Sequence, residues 1–338
     1  MTFKHLFEKI YDRQNLTVEE SRSALLSMLE GTCEPPQISA FLTALHLKGE
    51  TSEELAGFAL AMRQMAVEVP IDGIKTMDTC GTGGDRKGSF NISTLTAFVA
   101  AGAGIPVAKH GNRAASSLCG SADLLEALGI RARLKSEEAA EALEKTGFAF
   151  LFAPDYHPAT QHVVKIRRLL GVPTLFNYLG PITNPAKPHA QLIGVFDQKG
   201  MELMAAAFQI LEPGKKILLL HSIEGWDEAT TCGDFITYSP GQKPAKMNAK
   251  EFGLKPCLSH ELSGEGPETN AQIALSILKG EPGPKRDAVL LNAALAIQLF
   301  NPNRTVSEAL SDAAKSIDSG DAFSVVRQLK EKFPFNPS

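Results

Sequence analysis

No stretch of this chain stays apolar for long enough to span a bilayer. The N-terminus, MTFKHLFEKIYDRQ, is punctuated by charges and lacks the continuous apolar segment of a signal peptide. Together these absences predict a soluble, cytoplasmic protein with no membrane partner. A basic excess is missing too: 34 Lys and Arg against 38 Asp and Glu leave a formal net charge of −4, which argues against nucleic acid as a partner. The five cysteines (Cys33, Cys80, Cys119, Cys232 and Cys257) include no CxxC spacing. They suggest neither a disulfide framework nor a zinc site, and they fit a reducing compartment. Repeats, low-complexity tracts and obvious flexible linkers are likewise absent.

What is present, at 43% apolar and 21% charged over 338 residues, is the composition of a chain folded throughout. Residues 1 to about 68 read as helices only. TVEESRSALLSMLEG and TSEELAGFALAMRQMA each open with a threonine three residues before a glutamate, the pattern of a capping box, while Pro35 and Pro36 start a further helix that stops at Gly49. Four short helices cannot hide all their Leu, Ala, Phe and Met without a partner surface.

From about residue 74 the pattern changes. IKTMDTC, PVAKH, FAFLF, QLIGVF and KILLLH read as strands, with helical stretches between them such as ISTLTAFVAAGAG and SADLLEALG. This alternation predicts an α/β fold with a mostly parallel central sheet, in which ligands gather at the carboxyl ends of the strands. PATQHVVKIRRLLG reads as helix, NYLGPITNPAKP as turns, and the region from about residue 268 onward as Ala- and Leu-rich helices.

Three constellations could carry chemistry. The first is TCGTGGDRKGSFNIST, residues 79–94, which follows a strand. Its glycines let the backbone turn sharply and approach a ligand, and Ser93 and Thr94 fall at a helix start, where free N–H groups favour an anion. It has neither the GK[ST] ending of a Walker loop nor the GxGxxG spacing, so neither an ATPase nor a nicotinamide enzyme follows; a plain turn and plain capping remain the alternatives. The second is KHGNRAASSLCGSAD, residues 109–123, where Lys109, His110, Asn112, Arg113, Ser116, Ser117 and Ser121 collect after a strand and suit an anionic ligand. The third is Asp227 with Glu228 after KILLLH, a pair of hard oxygen donors of the kind that holds magnesium beside phosphates.

GTGGDRKGSFNIST, VAKHGNRAASS, GSADLLEALG, LFNYLGPITNPA, GWDE and GPKRDAVLLNAA occur in that order and together resemble the anthranilate phosphoribosyltransferase family over nearly the whole chain. The resemblance implies a small helical domain, residues 1–70 with 158–185 returning to it, and a larger α/β domain, residues 71–157 and 186–338. It implies a homodimer joined through the helical domain. The implied reaction transfers the 5-phosphoribosyl group of phosphoribosyl diphosphate to the amine of anthranilate, with magnesium, two ions, as cofactor.

Carried over by motif, the donor would meet Gly81, Gly84, Asp85, Ser89, Asn91, Ile92, Ser93, Thr94, the run Lys109, His110, Gly111, Asn112, Arg113, Ala114, Ala115, Ser116 and Ser117, and Ser121. Anthranilate would meet Gly81, Asn112 and Arg167, whose charge suits the carboxylate. The metal would meet Ser93, Asp227 and Glu228. Lys109, His110, Asn112 and Arg167 are the residues expected to carry the reaction, with no single acid or base dominating. The chain departs from the family pattern at Leu118, Cys119, Pro173, Ser222 and Trp226. Two other readings share the fold: a pyrimidine nucleoside phosphorylase, whose lysine motif lacks HGNR, and a non-catalytic nucleic-acid-binding relative, which would lose the acidic pair.

Overall fold

The computed structural model describes residues 2–114 and 118–336. Four helices open the chain: α1 (Phe3–Tyr11), α2 (Val18–Leu29), α3 (Pro35–Lys48) and α4 (Ser52–Gln64). Both anticipated capping boxes form, Thr17 with Glu20 and Thr51 with Glu54. Glu54 does more than cap. Fully buried, it accepts the N–H of Leu16 at 3.0 Å and of Thr51 at 2.9 Å, and it meets Lys48 Nζ at 3.0 Å, so one carboxylate ties the entry to α2 to the end of α3 and the start of α4.

The remaining chain builds one seven-stranded sheet: β1 (Met77–Gly81), β2 (Val107–Gly111), β3 (Phe148–Phe152), β4 (Ala190–Gly194), β5 (Lys216–Ser222), β6 (Asp234–Tyr238) and β7 (Ala245–Asn248), in the spatial order β3-β2-β1-β4-β5-β6-β7. The five strands anticipated from the sequence are the parallel ones. β6 and β7, not anticipated, add an antiparallel edge. In β6 the buried residues are Phe235 and Thr237, a period of two; β7, AKMN, lies at the edge with no apolar pattern to announce it. After β1 the chain builds outward through β2 and β3, then returns to lay β4 and β5 on the other side, so the order reverses beside β1. Ligand crevices of α/β sheets form at such a reversal.

Helices cover both faces. On one, α5 (Ile92–Gly102) and the C-terminal helices Pro284–Phe300, Val306–Asp318 and Asp321–Lys332 share a core with Met77, Leu192 and Leu220. On the other, α1–α4 and the helix Gln198–Leu211 share a core with Cys80, Ile193 and Leu219. Adjacent residues of β4, Leu192 and Ile193, thus serve opposite cores, as the pleat requires.

The segment read as turns, NYLGPITNPAKP, instead begins with a short helix, Phe176–Ile182, with Pro181 next to its end. That proline removes only one hydrogen bond from a helix about to stop. Val163 and Ile166 from the helix Gln161–Leu170, and Phe176, Leu179 and Ile182 from this one, join the same core as α1–α4. We therefore take these two helices with α1–α4 as one helical unit. Among the described residues no helix is long and apolar enough to cross a membrane.

Candidate active site

The parallel strands β1, β2, β4 and β5 end at Gly81, Gly111, Gly194 and Ser222, and the loops that leave them converge. Asp227 lies across two of these ends. Its carboxylate accepts the N–H of Gly83 at 2.8 Å. A Cβ on Gly81 would stand 2.5 Å from Asp227 Oδ2, and one on Gly194 would stand 1.5 Å from the Asp227 carbonyl oxygen, so these strands must end in glycine for the acidic loop to reach over them. Glu228 accepts the N–H of Ser93, in the first turn of α5, at 3.2 Å. The acidic pair and the Gly-rich loop, 144 residues apart at Gly83 and Asp227, therefore form one structure.

Ser222 Oγ holds the loop from below by donating to the Glu228 carbonyl at 2.7 Å, and Asn292, from the C-terminal helices, brackets Ala229 through its N–H and C=O. Ser222 and Trp226, both departures from the family pattern, are buried members of this loop's support.

Lys109 is buried inside β2. Its Nζ donates to the Thr79 carbonyl and, at 3.2 Å, to Ser93 Oγ, which places a cation directly under the start of α5. Burial lowers its proton affinity; the carboxylates of Asp78, Glu228 and Asp227 oppose that. Burial, and then the Asp85 carboxylate, pushes Asp227 up to about 7, while burial, and then Asp227, raises Glu228 well above the usual carboxylate range. Three carboxyl groups thus crowd one lysine, their ionised forms disfavoured until a further cation compensates them, with Asp85 Oδ2 buried and unpartnered among the described residues. Such a donor set, with the Ser93 hydroxyl beside it, fits a hard divalent cation. Among the described residues no three His, Cys, Asp or Glu side chains group closely enough to enclose an ion by themselves.

His110 follows Lys109 on β2. Its Nδ1–H donates to the Gly180 carbonyl at 3.0 Å, its ring meets that of His157 edge-on at 5.1 Å, and its Nε2 is buried without a partner among the described residues. Burial, then the neighbouring His157, lowers His110 to about 3. It is a neutral imidazole whose free nitrogen can only accept.

Not every anticipated residue is available to a ligand. The side chain of Ile92 packs into the core and its N–H is bonded to the Phe90 carbonyl at 2.7 Å. Thr94 is buried, its hydroxyl donating to Ser121 Oγ at 3.1 Å, which ties the start of α5 to the start of α6 (Ser121–Ala127). Asn91 spends its side chain on the Cys119 carbonyl at 3.0 Å and on Asn270 at 2.9 Å. Arg113 is held by Asp123 at 2.8 Å and Glu126 at 2.7 Å. Gly84, Asn112 and Ser89 remain open or half-open, Gly111 ends β2, and Ala114 donates its N–H to Asp123 at 2.9 Å. Ala115, Ser116 and Ser117 lie outside the described residues.

Arg167 sits on the helix Gln161–Leu170 with its guanidinium 4.7 Å from the Phe176 ring centre. Burial, with no carboxylate paired to it among the described residues, lowers it only to about 10, so it is a charged group awaiting an anion at neutral pH.

Two residues that the sequence reading passed over also belong here. Asp78, second residue of β1, and Asn184, just past the helix Phe176–Ile182, are buried and bonded to each other at 2.8 Å. A carboxylate in the strand-like run IKTMDTC is the signal for the first; the second stands in the motif LFNYLGPITNPA.

A family model described as the helical bundle domain of a glycosyl transferase family matches residues 4–66, and one described as its a/b domain matches residues 73–323. The chain is 44% identical over 331 residues to the anthranilate phosphoribosyltransferase of Pelotomaculum thermopropionicum, covering 97% of this chain and 96% of that one. Among solved structures, the anthranilate phosphoribosyltransferase of Thermus thermophilus superposes with a TM-score of 0.91 at 40% identity, over 96% of this chain and 98% of that one. The Saccharomyces cerevisiae enzyme, in complex with PRPP and Mg, superposes with a TM-score of 0.91 at 28% identity, each chain 97% covered. With both domains matched and the strand-end loops carrying the family's motifs, the chain belongs to the anthranilate phosphoribosyltransferase family.

Proposed function

We propose that the protein transfers the 5-phosphoribosyl group from phosphoribosyl diphosphate to the amine of anthranilate, giving N-(5-phosphoribosyl)anthranilate and diphosphate, in tryptophan biosynthesis. The observation that carries this reading is the junction of the Gly83 and Ser93 N–H groups with Asp227 and Glu228 over Lys109.

The diphosphate of the donor would lie along the Gly-rich loop from Gly81 through Gly84, Asp85 and Ser89 to the start of α5, opposite Asn112. Ser93, Asp227 and Glu228 would hold magnesium, two ions when the donor is bound, and the metal would supply positive charge to the departing diphosphate. Lys109 adds fixed positive charge under the same end.

Arg167 would take the anthranilate carboxylate, Asn112 and the Gly81 backbone would orient the ring, and His110 Nε2 would accept from the amine. As the C1–O bond to diphosphate breaks, the nitrogen lone pair forms the new C1–N bond from the opposite face, and the amine then sheds one proton to solvent. An aryl amine is already unprotonated at neutral pH, and an imidazole whose affinity for protons is as low as that of His110 orients rather than abstracts. Positioning and charge then carry the rate.

The test is loss of anthranilate fluorescence on mixing protein, phosphoribosyl diphosphate and Mg2+. Turnover that falls at least ~100-fold in Asp227→Asn/Glu228→Gln supports both reaction and metal role, as expected when charge stabilisation is removed. A folded wild type without turnover overturns the assignment.

A further inference from the structure

Parallel neighbours in this sheet run five residues in register, except one pair: β1 and β2 are matched only at Met77 and Val107. Beyond that point side chains satisfy the backbone groups that face the gap. The His110 N–H donates to Asp78 Oδ1 at 3.3 Å. Asn184 Nδ2 donates to the Ala108 carbonyl at 2.9 Å and to Asp78 Oδ2 at 2.8 Å. Lys109 Nζ takes the Thr79 carbonyl from across the gap. Gln191 on β4 donates to the Pro181 carbonyl at 2.8 Å and lies 3.4 Å from Asp78 Oδ2, which braces the carboxylate from the other side.

Backbone groups this deeply buried are paired in native structures. Here the pairing is made by side chains, so the strands are held apart by design of the sequence and not by fraying.

We infer that Asp78 and Asn184 form a polar wedge that splits β1 from β2, and that the split sets the distance between the Gly-rich loop leaving β1 and the Asn112 loop leaving β2. Both are positioning residues: neither need touch a substrate. Because Asn184 closes the segment that carries Gly180, and Gly180 accepts from His110, the wedge also fixes β2 against the helical unit. The inference rests on the reading that the crevice between these loops takes the two substrates.

The test compares wild type, Asp78→Asn, Asn184→Ala and the exchanged pair Asp78→Asn/Asn184→Asp. Asp78→Asn sets two amide donors against each other. Exchange restores a donor–acceptor pair between positions 78 and 184 and keeps a carboxylate in the wedge, while losing the bond to Ala108. With the two loops displaced, kcat/KM for both substrates is expected to fall about 10-fold to 100-fold in Asp78→Asn, and the exchanged pair is expected to recover part of that loss.

Hydrogen exchange of the peptide covering residues 107–114 gives a readout independent of turnover: protection of the His110 amide should drop in Asp78→Asn and in Asn184→Ala. Should Asp78→Asn fail to fold, Asn184→Ala, which removes only a neutral amide, carries the same kinetic and exchange comparison. Unchanged kcat/KM in a folded single variant overturns the wedge as a positioning device, and unchanged exchange overturns the wedge itself. Accelerated exchange in the variants of a wild type that itself lacks turnover would leave the split standing and remove only the activity it serves.

Discussion

His110 and His157 face each other in a buried contact between β2 and the segment that follows β3. Burial lowers His110 to about 3 and His157 to about 4. Both folded values lie below the ordinary histidine value, so the unfolded chain takes up protons first as the pH falls. Stability from this pair is complete above about pH 6.5 and is lost below it; at pH 5 each histidine should cost about 2 kcal/mol. Denaturant titrations at pH 7.5 and pH 5 measure the loss, and His157→Gln should reduce it. A pH-independent midpoint would mean that the two rings are hydrated in solution. The same neutrality means that no histidine inflection from His110 should appear in the rate.

At the scale of elements, the strongest local statement is Glu54. Its side chain joins the start of α2 to α3 and α4, and the Lys48 side chain beside it is nearly as buried. Removing one partner of such a pair strands the other, so Glu54→Ala should cost about 3 to 5 kcal/mol, whereas Thr17→Ala, which removes a single cap on the surface, should cost about 1 kcal/mol. Urea unfolding followed by circular dichroism separates the two, and equal costs would deny Glu54 its bracing role.

Glu54 also shows where sequence reading reaches its limit. As part of a capping box it was visible, because a cap is a contact between residues three apart. As the partner of Leu16 it was not, because that contact spans 38 positions. The five parallel strands and most helices were legible for the same local reason. β7 was not, since an exposed edge carries no apolar period, and the short helix Phe176–Ile182 was hidden by its own Gly and Pro. In the site, residue types and motifs announced Lys109, Ser93 and the acidic pair. What the sequence did not show is which of the named residues are spent internally. Arg113 is occupied by Asp123 and Glu126, Thr94 by Ser121, and the Asp78–Asn184 bond crosses 106 positions.

The whole molecule is two cores on either side of one sheet. The N-terminal helices do not close a core of their own: theirs continues into Ile193 and Leu219 of the sheet. Burial against the sheet still leaves Tyr11, Leu47, Leu169 and Val172 of the helical unit more than half exposed. We propose that a second copy covers them, as the homodimer reading requires. Light scattering should give twice 36.3 kDa, and Leu47→Glu with Leu169→Glu should return the mass to a single chain without loss of secondary structure. A monomeric wild type would sink this reading and leave the catalytic proposal standing.

The sole tryptophan of the chain is Trp226, buried immediately before Asp227, with its indole N–H unpartnered among the described residues. Nature has thereby placed an optical probe in the acidic loop and nowhere else. Its emission will respond to the polarity and field of that loop, free of any background from other indoles, and can be followed without a label while the cation and the donor arrive in turn.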